Sequence, residues 1–171
     1  PPSMVVCRAM RLITLLLADT LAACGGANAD LPLTVPLGLT HEQAEQQLHA
    51  HQFCHAQGEL PRKTELYPRC DRTAAELGDA WVTATFDGDR LIELRRWERY
   101  ADDDHALQRW NELVAERTKT STPSDEALQS LRDKGLVEAG TRMVKAFRDK
   151  DGVVVGVYLL TPSPPQNANV L

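Results

Sequence analysis

The stretch Trp81-Val82-Thr83-Ala84-Thr85-Phe86, followed by Asp87-Gly88 and then Leu91-Ile92-Glu93-Leu94, constrains the fold of this chain more than any other. Two runs of strand-forming residues flank a pair able to take positive φ, the short-range signature of a β-hairpin. The second arm continues as Arg95-Arg96-Trp97-Glu98-Arg99-Tyr100. Its alternation of large and charged residues predicts an antiparallel sheet with one solvated face.

Around this hairpin the pattern changes period. Thr40-His41-Glu42-Gln43 has the spacing of a capping box, and Ala44 and Leu48 form a narrow apolar stripe, predicting a helix over 41–50. Phe53-Cys54-His55 and Glu65 to Cys70 are short strand candidates. Asp102-Asp103-Asp104 can cap the helix on which Leu107, Trp110, Leu113 and Val114 recur, predicted over 104–117. Thr118 to Thr122 reads as a linker. Thr122 is then the expected N-cap of a further helix, with Pro123 at its first position and Gly135 at its end. Leu128 and Leu131 face the core of that helix. A last hairpin turns at Asp149-Lys150-Asp151-Gly152, and Val153 to Leu160 returns apolar on both faces, as central strands do. The order of elements gives an α+β domain, an antiparallel sheet of hairpins packed with about three helices over 40–161.

The N-terminal part carries a different message. Arg8 and Arg11 precede the apolar run Leu12-Ile13-Thr14-Leu15-Leu16-Leu17-Ala18, and Leu21-Ala22-Ala23-Cys24-Gly25 follows. Basic start, apolar middle and small residues before a cleavage point make a secretory signal, with Met10, ahead of the alternative Met4, as its expected start. The run is shorter than the ~20 residues that cross a bilayer. The alternative is a buried N-terminal helix. L-A-A-C resembles the lipobox of bacterial lipoproteins, in which the Cys becomes the lipidated first residue. The resemblance implies acyl chains on Cys24, and Gly25 beside it implies the outer membrane, facing the periplasm. Gly25 to Leu39, rich in Gly, Asn and Pro, reads as a tether, and residues 162–171 as a tail.

Charge and motifs narrow the functions. The chain carries a net −5, which becomes −6 without residues 1–23 and their Arg8, Arg11 and Asp19. An acidic domain has no general attraction to nucleic acid or anionic lipid, so membrane attachment rests on the lipid. There is no G-x-S-x-G, no nucleotide-binding glycine loop and no catalytic Cys–His pattern, and no cofactor is implied.

Gly38-Leu39-Thr40-His41-Glu42-Gln43-Ala44, opening a helix before a meander of strands, resembles the small outer-membrane assembly lipoproteins of the SmpA/OmlA type. Those belong to a larger group of domains shaped like the β-lactamase inhibitor protein. The resemblance covers the lipobox, the tether, this helix start and, loosely, the hairpin. The later helices and final hairpin extend beyond it, and no functional residue carries over.

Four groups of residues are candidates for chemistry. Cys54 and Cys70, an even pair in an oxidising compartment, predict a disulfide, whose loop of ~16 residues is worth about 3 kcal/mol in the chain-entropy model. The alternative is two independent thiols. His41, His49, His51 and His55 crowd around Cys54, enough donors for a metal, but without the spacing of known zinc patterns. A solvated His cluster is the plainer reading, and no metal is assigned. Asp102, Asp103, Asp104, Asp149 and Asp151 suggest calcium less well than a helix cap and a turn, because the distal acid of an EF-hand loop is missing. Arg95, Trp97 and Arg99 share one face of their strand, with Arg96 on the other. Exposed, that face would bind an envelope protein or an anionic polymer. The expected function is a non-enzymatic lipoprotein that binds or scaffolds an envelope partner. The alternatives are an envelope enzyme of unrecognised family and a metal-handling lipoprotein using the His-rich segment.

Overall fold

A computed structural model describes residues 35–57, 59–161 and 169–170. The expected signal, Cys24, the expected tether up to Thr34 and most of the expected tail lie outside the described residues. Among the described residues no helix is long and apolar enough to cross a membrane.

Helix α1 (His41–Ala50) begins where its capping box places it: Thr40 Oγ1 accepts from Gln43 N, and Gln43 Oε1 accepts from Thr40 N. Its buried face, Ala44 and Leu48, packs on the first sheet ladder. That ladder is β1 (Glu59–Leu60), β2 (Thr64–Pro68), β3 (Ala80–Asp87) and β4 (Arg90–Arg99), antiparallel throughout. Val82, Ala84, Phe86 and Leu91 meet α1, Phe53 and Tyr67 in one core. The β3–β4 turn is Gly88-Asp89, one residue later than the expected Asp87-Gly88, because Asp87 still pairs with Arg90. Gly88 supplies the positive φ, 58°.

The second ladder holds β5 (Thr122–Pro123), β6 (Thr141–Arg148) and β7 (Val154–Leu160). Helix α2 (Asp103–Thr120) packs Ala106 and Trp110 on Phe147, Val157 and Leu159. Helix α3 (Asp125–Asp133) packs Ala127 and Leu131 on Ala146, Tyr158 and Leu160. Alternation along β7 therefore puts the two helices on opposite faces, which is why this strand is apolar on both. A two-residue strand β8 (Asn169–Val170) pairs with both β4 and β7 and joins the ladders in the order β1-β2-β3-β4-β8-β7-β6-β5. The architecture is α+β, as the order of elements implied.

Several local expectations need correction. Phe53-Cys54-His55 is not a regular strand: Phe53 makes an isolated bridge to Arg69. Helix α2 runs on to Thr120, where Thr118 and Thr120 hydroxyls bond back to the Val114 and Arg117 carbonyls. Thr122 and Pro123 are not a cap and first turn but a strand paired with Arg148 and Phe147. Proline, lacking an N–H, is tolerated at such a sheet edge. The cap is Ser124, whose Oγ accepts from Ala127 N. Gly135 does close α3: its N–H reaches Arg132 O while Leu136 N reaches Leu131 O, a Schellman end with its apolar contact. Val35, read as tether, is buried in the core, and Gly38 and Leu39 bond to Leu91. The folded domain therefore begins before Thr40.

Candidate functional site

A gap opens in the sheet between β4 and β7. Both β4 and β7 run antiparallel to β8, so they run parallel to each other. Beyond the bridges to Glu98, Arg99 and Leu159, no described strand lies between them. At the other end, residues 38–41 cover β4 only at Asp89 to Leu91. Between these ends is a cleft of about 720 Å³. Its walls are the strand edges, with α2 over one mouth and α3 over the other. Ile92, Leu94, Leu113, Val155, Val157 and Leu136 give it an apolar lining. One β4 group can be placed by alternation. Arg99 N donates to Asp79 O on the β3 side, so Trp97, Arg95 and Glu93 also address β3, and the main chain of Leu94 faces the cleft.

The charged part of the cleft is built around Glu98, the one buried charged residue among those described. Its carboxylate accepts from Tyr100 OH at 2.6 Å and Arg109 Nε at 2.9 Å, and pairs with Arg96 Nε at 2.8 Å. Burial pushes its pKa up, but the hydrogen bonds from Arg109 and Tyr100 and the charges of Arg96 and Arg109 outweigh that and hold it below the usual carboxylate range. The hub joins β4 to α2 beside the cleft. The Arg96–Glu98 face of β4 is therefore not solvated, because α2 lands beside it.

Arg95, Trp97 and Arg99 do share one face, but not as an open surface. Arg95 is paired with Glu93 and Glu138 and only 16 % of its side chain is exposed. Trp97 stacks on Trp81 at 6.0 Å, donates from Nε1 to Thr83 Oγ1, and packs against the α3 core. The Arg99 guanidinium lies over the Trp81 ring at 5.0 Å. Of the three, Arg95 lines the cleft. Sequence reasoning missed the cleft and Glu98. The one available signal was a lone carboxylate among the arginines of a strand, Arg95, Arg96 and Arg99.

The predicted disulfide joins Cys54 and Cys70. His49 approaches it, and the three donor atoms lie within 4.8 Å of one another. The other histidines part company with it. His41 Nε2 lies 2.9–3.0 Å from both Glu65 oxygens, and His55 Nε2 lies 3.8 Å from Glu65 Oε2. Tyr67 OH donates to the same carboxylate at 2.6 Å, and burial followed by that bond raises the phenol's pKa. The His51 carbonyl accepts from Arg69. The aspartates serve local structure. Asp102 caps α2 by accepting from His105 N, Asp103 pairs with Arg142, and Asp149 accepts from Asp151 N and Val153 N.

Comparison with protein-family models, curated proteins and solved structures finds no match to this chain.

Proposed function

We propose that this chain is a lipoprotein of the bacterial cell envelope, held to the membrane through lipidated Cys24, whose domain binds an extended polypeptide segment of an envelope partner without catalysis. The observation that carries the binding reading is the gap between β4 and β7. Two parallel strand edges offer main-chain groups to one strand antiparallel to both, the direction already taken by β8 and by residues 38–41. At β8 the two edges stand two strand spacings apart, about 9.5 Å, room for one inserted strand. The apolar lining suits an apolar segment. Glu98 and Arg95 are already paired within the chain, so the polar residues of the cleft hold its shape rather than stand ready as a catalytic set. The anchor rests on the lipobox resemblance alone.

The test is crosslinking in intact envelopes from a photoreactive residue at position 92, where Ile92 is 52 % exposed at the cleft mouth. A discrete partner adduct is expected, lost in an Ile92→Asp, Leu94→Asp double variant that retains its circular dichroism. The same adduct from position 107, on an exposed face of α2 away from the cleft, would refute this location. Release of the protein from membranes by Cys24→Ser tests the anchor separately.

A further inference from the structure

We infer that the Cys54–Cys70 disulfide is the closed form of a metal site, and that reduction opens a Cys2His site, with His49 as third ligand, for a thiophilic ion such as Zn²⁺. This goes beyond the cleft reading and is independent of it. The donors come from three places: the last turn of α1, the turn after it, and the residue two beyond β2. Their ligand atoms already lie within 4.8 Å of one another. Tetrahedral zinc, with bonds of about 2.3 Å to sulfur and about 2.0 Å to nitrogen, needs donors roughly 3.3–3.8 Å apart. Rotation of exposed His49 and Cys70 and half-buried Cys54 can supply that change.

What distinguishes this pair from an ordinary surface disulfide is how little its proximity depends on the S–S bond. Cys54 N donates to Pro68 O, and Cys70 N donates to Gln52 O. Between those bonds Phe53 pairs with Arg69, and its ring is buried under the Arg69 guanidinium at 4.4 Å. Phe53 N also donates to Leu48 O, one residue before His49, tying the helix end to the same turn. Gln52 takes a positive φ of 65° to make that reversal. The main chain thus keeps both cysteines and the histidine together with the bond open, and the site is formed before the ion arrives.

The chemistry balances. A dithiol reductant passes two electrons and two protons to the disulfide, becoming a disulfide itself and leaving two protein thiols. A divalent ion then displaces the two thiol protons and takes the neutral imidazole of His49, giving an uncharged centre with a fourth position open to water or to another molecule's donor. In the oxidised chain both sulfurs are consumed, so the site is closed.

The experiment uses the full chain carrying Cys7→Ser and Cys24→Ser, so that only this pair responds. It is compared oxidised and after reduction by a water-soluble phosphine. Co²⁺ should produce thiolate charge-transfer absorption only in the reduced chain, and Zn²⁺ should displace it at one equivalent. His49→Ala should weaken Zn²⁺ binding at least tenfold, whereas His51→Ala should leave it within twofold. Equal affinity in the oxidised and reduced chains would overturn the proposal, as would indifference to His49→Ala. Loss of native circular dichroism on reduction, before metal is added, would overturn it too, because the site would then not be preformed.

Discussion

Glu98 is the residue whose removal should be felt most for its size. Three side chains converge on its carboxylate, Tyr100 and Arg109 as donors and Arg96 as an ion-pair partner, and the two arginines have side chains only 17 % exposed. Glu98→Ala strands both. Breaking a buried ion pair from one side costs about 3–5 kcal/mol, and the residual exposure places this case near 3 kcal/mol. For a domain of this size 1 kcal/mol moves the midpoint by about 3–5 °C, so scanning calorimetry should find a fall of about 10 °C. Glu98→Gln keeps an acceptor but not the charge and should lose roughly half as much. The pH dependence has a definite sign. The folded pKa lies below the ordinary value of 4.5, so the stabilisation is complete above that value and is lost as pH falls through the folded pKa. The gap between wild type and Glu98→Gln should be constant from pH 8 to 5 and shrink below about 4.5. A fall under 3 °C for Glu98→Ala, or a gap that persists unchanged to pH 2, would refute the assignment of Glu98 as a charged hub.

Reducing the Cys54–Cys70 bond, which closes a separation of 16 residues, should lower unfolding free energy by about 3 kcal/mol in urea titrations. The fold should remain native at 25 °C. Gly156→Ala should cost about 1–3 kcal/mol, because an added Cβ would sit 2.5 Å from the Tyr158 ring. Combining it with Tyr158→Leu, which removes that obstacle, should recover part of the loss in the same titrations.

Local chemistry was legible where one short segment decides the outcome. The capping box at Thr40, the hairpin pair β3–β4 and the Gly135 helix end are all settled within a few residues. The disulfide followed from the even number of cysteines left in the domain and the oxidising compartment expected for it. Thr122 and Ser124 show the limit. Both are acceptable caps, and the choice falls to Ser124 because Thr122 and Pro123 pair with Arg148 and Phe147, over twenty residues away. The cleft was illegible for the same reason on a larger scale. Its walls lie about sixty residues apart in the chain, with two helices and two strands between them. Nothing in the alternation of β4 announces that α2 will cover the face carrying Arg96 and Glu98. Nor does it announce that the face offered as exposed, with Arg95, Trp97 and Arg99, will be paired with acids and packed against Trp81 and the α3 core.

The same geometry explains why the gap can persist. Unpaired strand edges invite association, and proteins guard them with charges or cover. The β4 edge carries Glu93, Arg95 and Arg96, each tied into an ion pair. The apolar β7 edge is covered by α2 on one side and α3 on the other. The two ladders are tied on both faces beside the gap, by the Glu98–Arg109 pair on the α2 side and by Trp97 against the α3 core on the other. They cannot simply slide together, because β8 holds them two strand spacings apart at one end. A segment entering the cleft therefore meets walls already in place, so binding costs the ordering of that segment and little reorganisation of the domain. The free domain and the occupied one should accordingly share one backbone conformation. Chemical-shift changes on binding a segment should be confined to β4, β7 and the facing turns of α2 and α3, and should leave α1 and the Cys54–Cys70 region unmoved. Shifts spread through α1 would mean that the ladders move apart to admit the segment, and the cleft would then be a product of binding rather than its template.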